Sequence, residues 1–187
     1  MMKEHKWLIV LIVCSVITFI GIGIGGFLDN DITGNILSPE FLEIVKMQKL
    51  ADILQMCCGV SLVFWLVGIG NYVYGLYVDF GKRVTNNILG AALLGTAFFV
   101  IALYRATPII AHDAEVRVGT VCDTSLRGGR VRSYFLEFED GEEIGVSQDQ
   151  WRTTKVGDCF YVIYCGDKLI EILDMENYQL PATQEID

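Results

Sequence analysis

The stretch ILGAALLGTAFFVIALY, residues 88–104, separates an apolar first part of the chain from a more polar last part. The chain of 187 residues is 52% apolar and has a mean hydropathy of +0.44, which is high for an ordinary globular domain. The excess lies in three apolar runs, at about residues 7–27, 57–77 and 86–104. A helix needs about 20 mostly apolar residues to cross the hydrocarbon core of a bilayer. We therefore predict three transmembrane helices in a membrane domain over residues 1–105.

The first apolar run could also be read as a cleaved signal peptide. It is long for the apolar region of such a peptide, and no clear small-x-small cleavage motif follows it. We interpret it as a retained helix. Gly21 and Gly25 form a small-xxx-small pair within it, which either allows a neighbouring helix to approach closely or only loosens the helix end.

The loop between the first two spans contains a helical pattern of its own. Residues 39–55 place five apolar side chains at helical spacing: Ile44, Met47, Leu50, Ala51 and Leu54. This short helix either packs on the spans or continues directly into the second span. After the third span, we expect Pro108 to end the helix, because proline has no N–H to donate.

Residues 29–40, DNDITGNILSPE, resemble the twelve-residue calcium loop of EF-hand proteins. Gly34 falls at the sixth position, where that loop turns sharply, and Ile36 at the eighth, where the family makes a short β contact. Oxygen ligands at alternate positions around such a turn suit a hard divalent ion. The resemblance implies a calcium site whose ligands, at positions 1, 3, 5, 7 and 12, are Asp29, Asp31, Thr33, the carbonyl of Asn35, and Glu40.

A polar turn that starts a helix explains the end of the same stretch without an ion. Ser38 would cap the helix, Pro39 suits its first position, and Glu40 suits its dipole. The stretch also departs from the family, since the incoming helix is the glycine-rich end of the first span and Thr33 is a weaker ligand than aspartate. Both interpretations stay open.

The last part of the chain alternates apolar and polar residues between short turns, as small β domains do. We place a hairpin turn at Asp140-Gly141 and one helical turn, containing Trp151, within residues 147–154. The strand patterns lie at about residues 115–124, 131–138, 143–146, 159–165 and 169–173. Five strands at this spacing predict a small barrel of SH3 or OB type over residues 113–178, with a disordered tail over 179–187.

Three motifs of this domain resemble uncharacterised bacterial membrane proteins in which a small β domain is attached to membrane helices. They are Gly119-Thr-Val121, Phe135-Leu-Glu-Phe138 with Asp140-Gly141, and Val156-Gly157-Asp158-x-x-Tyr161-Val162-x-Tyr164. The course of the last strands also resembles the membrane-anchored OB domains of NfeD type. That second resemblance implies partnership with stomatin-like scaffold proteins, and neither resemblance implies catalytic residues.

The distribution of charge narrows the choice of partners. Residues 106–187 hold seven Lys or Arg and sixteen Asp or Glu, whereas residues 1–105 hold seven of each, so the whole net charge of −9 lies on the predicted β domain. An acidic domain is repelled by nucleic acid and by anionic headgroups. We expect the partners to be the lipid bilayer around the helices and either another protein or a second copy of the chain.

No residue pattern in the β domain is typical of a catalytic site. Glu142 and Glu143 are neighbours on a strand, so they point to opposite faces and cannot share a proton. The six cysteines show no zinc spacing. Cys159 and Cys165 lie too far apart on one strand to bond each other. Cys122 pairs with one of them if the domain is outside the cytoplasm, or all three stay free. We expect no enzymatic activity and no cofactor unless calcium binds the first loop.

The positive-inside rule gives an orientation through the basic pairs that directly adjoin helices. These pairs are Lys3 with Lys6 and Lys82 with Arg83. We predict a cytoplasmic N-terminus in a bacterial inner membrane, with the first loop and the β domain outside. The expected function is non-catalytic binding or assembly through the β domain, and the alternative is a calcium-responsive membrane protein. A transporter has little support, because the spans carry no buried charges.

Overall fold

The structure is a computed structural model of the chain, and it describes residues 4–28, 34–78, 81–128 and 132–181. The chain divides into two compact units. The first unit comprises Met1–Asn30 and Met47–Thr107, and the second comprises Asp31–Lys46 and Pro108–Asp187. Residues 34–46, which include the end of the first loop, therefore belong to the same unit as the β domain.

Three long helices account for most of the first unit: α1 over Glu4–Leu28, α2 over Pro39–Val78 and α3 over Lys82–Ala111. Each is long and apolar enough to span a membrane, which confirms the prediction of three such helices. Large apolar side chains such as Ile9, Phe19 and Leu93 are exposed on them. Such exposure suits a lipid environment, where an apolar surface needs no cover.

The predicted short helix and the second span form one continuous helix, α2, of 40 residues. The helix starts as the capping pattern predicts: the Ser38 hydroxyl accepts a hydrogen bond from the Phe41 N–H at 3.3 Å, and the Ser38 carbonyl accepts one from Leu42 at 3.0 Å. Pro39 occupies the first helical position, where its missing N–H is not needed. No glycine or proline interrupts residues 40–58, so nothing in the sequence stops the helix.

The expectation that Pro108 ends α3 is wrong, because the helix continues to Ala111 with Pro108 inside it. Proline removes one hydrogen bond to the preceding turn, but the last turn is closed by the His112 N–H, which donates to the Pro108 carbonyl at 3.2 Å. Ile109 in this turn is buried. The burial of Ile109 and the hydrogen bond from His112 together stabilise a last helical turn that proline by itself would disfavour.

Small residues let the helices of the first unit approach closely. A Cβ added at Gly21 would lie 2.9 Å from the Cys58 Sγ, and one at Gly25 would lie 3.1 Å from the Ala51 carbonyl oxygen. The two glycines are therefore close-approach positions and do not merely loosen the end of α1. Gly95 of α3 fits against the Trp65 ring, 2.8 Å from a hypothetical Cβ, whereas Gly90 meets nothing within 4 Å.

Polar groups inside the helical unit are paired with one another. The Trp65 indole N–H donates to the Ser61 hydroxyl at 2.9 Å, and that hydroxyl donates to the Gly95 carbonyl at 2.7 Å. Asn87 of α3 donates to the Asn71 side chain of α2 at 3.2 Å. Such pairs stabilise helix association in membranes modestly, by about 0.6 kcal/mol each.

The second unit contains a five-stranded antiparallel sheet curled into a half-barrel, with the spatial order β3-β2-β1-β4-β5. Its strands are β1 (Ala114–Arg127), β2 (Ser133–Phe138), β3 (Glu143–Val146), β4 (Cys159–Cys165) and β5 (Lys168–Asp174), and a short helix, α4 (Gln148–Thr153), lies between β3 and β4. The first half of β1 pairs with β4 and its second half with β2. A bulge between Val121 and Asp123 lies at the change of partner, and bulges increase the local twist of a strand.

The core of the half-barrel lies on its concave face. Leu136 and Phe138 are buried there against Val121, Val162 and Tyr164. Gly119 fits this core because a Cβ at its position would lie 2.9 Å from the Phe138 ring. Trp151 of α4 packs at the margin, with its ring 5.3 Å from that of Tyr134.

Strand β4 is buried on both of its faces, which the alternation of β1 and β2 does not suggest. Tyr161, Ile163 and Cys165 point away from the concave core and are still buried. The start of α2 lies near this face: Cys165 is within electrostatic range of Lys46 and Glu43. Strands buried on both faces have continuous apolar sequences, as FYVIY of β4 does.

Candidate functional site

The predicted calcium loop is only partly within the described residues. Asp29, Asp31 and Thr33 lie outside them, while Asn35 and Glu40 are described and exposed. Glu40 lies in the first turn of α2, beside the Ser38 cap. The proposed ligand set thus stays a prediction, and the helix-start interpretation accounts for the contacts of Ser38.

The described half of this loop is held to the end of the chain. Gly34 has φ of +105°, which suits the sharp turn that the loop pattern requires. Ile36 forms a parallel β-bridge with Gln179, in which the Gln179 N–H donates to the Asn35 carbonyl at 2.8 Å and the Leu37 N–H donates to the Gln179 carbonyl at 2.9 Å. Gln179, the first residue of the predicted disordered tail, makes this bridge, and residues 182–187 of that tail lie outside the described residues.

A hydrogen-bonded cluster joins the β2–β3 turn to β4. The buried Tyr164 hydroxyl donates to the Asp140 carboxylate, which also accepts a bond from the Glu142 N–H at 3.0 Å. The Arg117 guanidinium lies 4.7 Å from the centre of the Tyr164 ring, and it contacts the Glu115 carboxylate at 3.3 Å. The cluster holds the hairpin tip against the centre of the sheet.

The protonation equilibria of this cluster favour the bonded form. Burial raises the pKa of Asp140, but the bonds from Tyr164 and Glu142 outweigh burial and hold it below its usual value. Burial and the Asp140 carboxylate raise the pKa of the Tyr164 hydroxyl well above its usual value. At neutral pH the tyrosine is therefore a donor and the aspartate an acceptor, an arrangement that stabilises the turn and leaves no activated nucleophile.

The sheet remains open, so β3 and β5 are its two edges. An edge strand presents N–H and C=O groups that can pair with a further strand. Exposed apolar side chains of this unit include Val118, Leu126 and Val156. Among the described residues, the Trp151 indole N–H is buried without a hydrogen-bond partner. The exposed apolar side chains are accessible surface features of this unit, whereas the indole N–H of Trp151 is enclosed.

Charged side chains, including one ion pair, lie on the convex face of β1 to β3. Arg127 donates two hydrogen bonds to the Glu143 carboxylate, at 2.9 and 2.6 Å, and stacks 4.9 Å from the Phe135 ring centre. Glu143 stands directly opposite Glu137 across the strands. Exposed ion pairs of this kind contribute about 0–1 kcal/mol, so they shape the surface charge more than stability.

All six cysteines are free thiols. Cys159 and Cys165 start and end the continuous strand β4, as the argument against a bond between them requires. Cys122 and Cys159 are exposed, whereas Cys165 is fully buried. Burial raises the pKa of the Cys165 thiol, which makes it less reactive still. Cys122 and Cys159 are thus the accessible reporters of this unit, and Cys165 reports on its opening.

Among the described residues, no group of three His, Cys, Asp or Glu side chains is arranged to hold a metal ion. Comparison of the chain with family models, with curated proteins and with solved structures finds no match in any of the three. The candidate features therefore rest on geometry alone. Sequence reasoning missed the Tyr164–Asp140 bond, although an aspartate before the glycine of a hairpin and a tyrosine within an apolar strand are its two visible signs.

Proposed function

We propose that this chain is a multi-pass membrane protein whose β domain is a non-catalytic module for binding or assembly. The observation that carries this proposal is the open half-barrel, in which β3 and β5 are the edge strands and β3 is only partly buried. Addition of a strand to such an edge is a common mode of protein recognition. The acidic surface favours a protein partner that is not itself acidic.

Site-directed photocrosslinking in intact membranes tests the proposal. A photoreactive amino acid at Lys168, on the edge strand β5, should give a discrete adduct with one protein or with a second copy of the chain. The same group at Asp123, on the convex face of the central strand β1, is the matched control. Equal labelling at both positions, or no adduct at Lys168, would contradict binding through this edge strand.

We also propose that the N-terminus is cytoplasmic and that the β domain lies outside, in a bacterial inner membrane. The basic residues beside the helix ends support this orientation. Cells carrying Ile186→Cys in a Cys122→Ser, Cys159→Ser background should react with an impermeant maleimide without being opened. Protection until the cells are permeabilised would place the domain in the cytoplasm.

A calcium-responsive function is the second candidate, and the turn at Gly34 and the β contact of Ile36 favour it. Calcium at about 0.1–1 mM, the range of extracellular sites, should raise the thermal unfolding temperature of the purified protein. Asp29→Ala and Glu40→Gln should each abolish the shift, and magnesium serves as the control ion. If calcium raises the unfolding temperature of both variants as much as that of the parent, or does not raise that of the parent, a calcium-responsive function is contradicted.

A further inference from the structure

A groove runs along the helical unit between α1 and α2. It has a volume of about 410 Å³, is open on one side, and is lined by side chains from residues 12–19 of α1 and 62–69 of α2. Ser15 is the one polar residue of this lining, and its hydroxyl donates to the Leu11 carbonyl of its own helix at 2.8 Å. The groove therefore offers apolar contacts to an occupant, and hydrocarbon fits it best.

The dimensions of the groove suit an extended acyl chain better than another helix. On α1 it extends from Ile12 to Phe19, which at 1.5 Å per residue is about 10 Å. Its mean cross-section is therefore about 40 Å², or about 7 Å across. An α-helix with its side chains is about 10–12 Å wide, so the groove is too narrow to hold one.

The groove begins near one end of the helical unit. Leu11, the residue before the start of the groove, packs in one cluster with Tyr72 from the last turns of α2 and with Val84 from the first turn of α3. The start of α1, the end of α2 and the start of α3 therefore meet at this end. From here the groove extends towards the middle of the helices, as an acyl chain extends from a membrane surface into its leaflet.

Basic side chains lie at the same end of the helical unit. Lys6, Lys82 and Arg83 are exposed there, and among the described residues none of the three forms an ion pair. In the sequence, residues 1–6 and 79–83 together hold four Lys or Arg and two Asp or Glu, so this end carries a net positive charge. Its charge is therefore complementary to an anionic headgroup.

The distance from the basic side chains to the groove matches the length of a phospholipid. Along α1, Lys6 lies about 9 Å from Ile12 and about 20 Å from Phe19, at 1.5 Å per residue. One leaflet of the hydrocarbon core is about 15 Å deep, and the headgroup lies above it. An acyl chain that fills the groove thus places its headgroup at the level of Lys6.

We propose that the groove between α1 and α2 binds one acyl chain of an anionic phospholipid, whose headgroup lies at Lys6, Lys82 and Arg83. This site goes beyond the proposed function of the β domain, because it gives the helical unit a ligand of its own. Each basic side chain near the headgroup should strengthen binding about fivefold. A zwitterionic lipid with the same chains gains only the apolar contacts, so the site distinguishes lipids by their charge.

Photoactivatable lipids test the site in the full-length protein. The purified protein is placed in phosphatidylcholine nanodiscs that contain a trace of phosphatidylglycerol with a diazirine in its acyl chain. Phosphatidylcholine with the same diazirine chain is the zwitterionic comparison, and mass spectrometry of peptides maps the adducts after irradiation. The anionic probe should label residues 12–19 and 62–69 about fivefold or more above the zwitterionic probe. Because nanodiscs expose both membrane surfaces, the result does not depend on the orientation of the chain in cells.

Two variants separate the contribution of the groove from that of general lipid contact. Val16→Trp places a large side chain in the groove and should lower the anionic adduct there to the level of the zwitterionic probe. Val13→Trp is the matched control, because Val13 is half-exposed on the same helix, as Val16 is, but does not line the groove. Its adducts should be those of the parent, and equal losses in both variants would contradict the groove as the site.

A second pair of variants tests the headgroup without changing the groove. Arg83→Gln should lower the anionic adduct about fivefold and leave the zwitterionic adduct unchanged. Arg105→Gln removes the same charge near the other end of α3 and should change neither adduct. Equal labelling by the two probes in the parent, as general lipid contact predicts, would overturn the proposal. An absence of adducts in the groove, as expected if a second copy of the chain covers it, would also overturn it.

Discussion

The helical unit and the β domain are stabilised by different forces, although one chain makes both. In the β domain, apolar side chains such as Leu136 and Phe138 are buried and the charges lie outside. In the helical unit, large apolar side chains lie outside, and the buried contacts include Thr18, Ser61 and several glycines. Lipid is as apolar as leucine, so burial of apolar surface stabilises the β domain but does little for helix association. In the helical unit, close packing and internal hydrogen bonds must therefore stabilise the association of the helices.

Removal of apolar volume should therefore harm the β domain most. Leu136 is fully buried, so Leu136→Ala should lower the free energy of unfolding of this domain by about 2–5 kcal/mol. Denaturant unfolding in detergent, followed by Cys165 labelling, measures the effect. Leu126→Ala, at a half-exposed position, is the matched control and should change stability by less than about 1 kcal/mol. Similar losses in both variants would contradict the assignment of the core.

Addition of volume should instead harm the helical unit. Gly95→Leu forces a side chain into the Trp65 ring, and overpacking of this kind costs about 1–3 kcal/mol. The thermal aggregation temperature of the protein in detergent should fall. Gly90→Leu adds the same side chain to the same helix where nothing lies within 4 Å, so it should be tolerated. An unchanged aggregation temperature in both variants would contradict the close approach of Gly95 to the Trp65 ring.

The cluster at Tyr164 tests whether a polar bond matters in the β domain as it does among the helices. Tyr164→Phe should destabilise the domain by about 1 kcal/mol, the net contribution of a typical hydrogen bond. The loss should depend on pH. The lowered pKa of Asp140 contributes stability that is present above its unfolded value near 3.9 and disappears as pH falls through the folded value.

The raised pKa of Tyr164 contributes in the opposite direction. Its stabilisation is present below the unfolded value near 10 and disappears as pH rises through the folded value. Tyr164→Phe should therefore unfold with a flatter dependence on pH at both extremes. Asp140→Asn should flatten the acid side, because it removes the titrating carboxyl. A parent-like pH profile in Tyr164→Phe would contradict the bond.

The smallest loss of stability is expected when a hydrogen bond is removed inside the helical unit. Ser61→Ala leaves the Trp65 indole N–H and the Gly95 carbonyl without the hydroxyl that joins them. Bonds between membrane helices average about 0.6 kcal/mol, so the loss should be detectable but small. Thermal unfolding in the same detergent measures it, and Thr96→Ala, on an exposed helix position, is the control. If Ser61→Ala lowers stability more than Gly95→Leu does, hydrogen bonds contribute more than close packing to the helical unit, contrary to our expectation.

Much of the architecture followed from local patterns. The three apolar runs predicted three helices, and the alternation between turns predicted five strands and the turn of helix at Trp151. The start of α2 at Ser38-Pro39 also followed from residue chemistry, because capping involves neighbours in sequence. The continuation of α3 through Pro108 did not follow, since the burial of Ile109, which helps to hold the last turn, depends on tertiary packing.

By itself, the sequence determined which segments are helices, which are strands, and where the charge lies, because length, periodicity and composition are local properties. Only the tertiary structure decided that Gly21, Gly25 and Gly95, but not Gly90, are close-approach positions. It also decided that Tyr164 meets Asp140, that Gln179 pairs with Ile36, and that β4 is buried on both faces. These outcomes depend on residues distant in the chain, so the pattern around any one of them does not contain its partner.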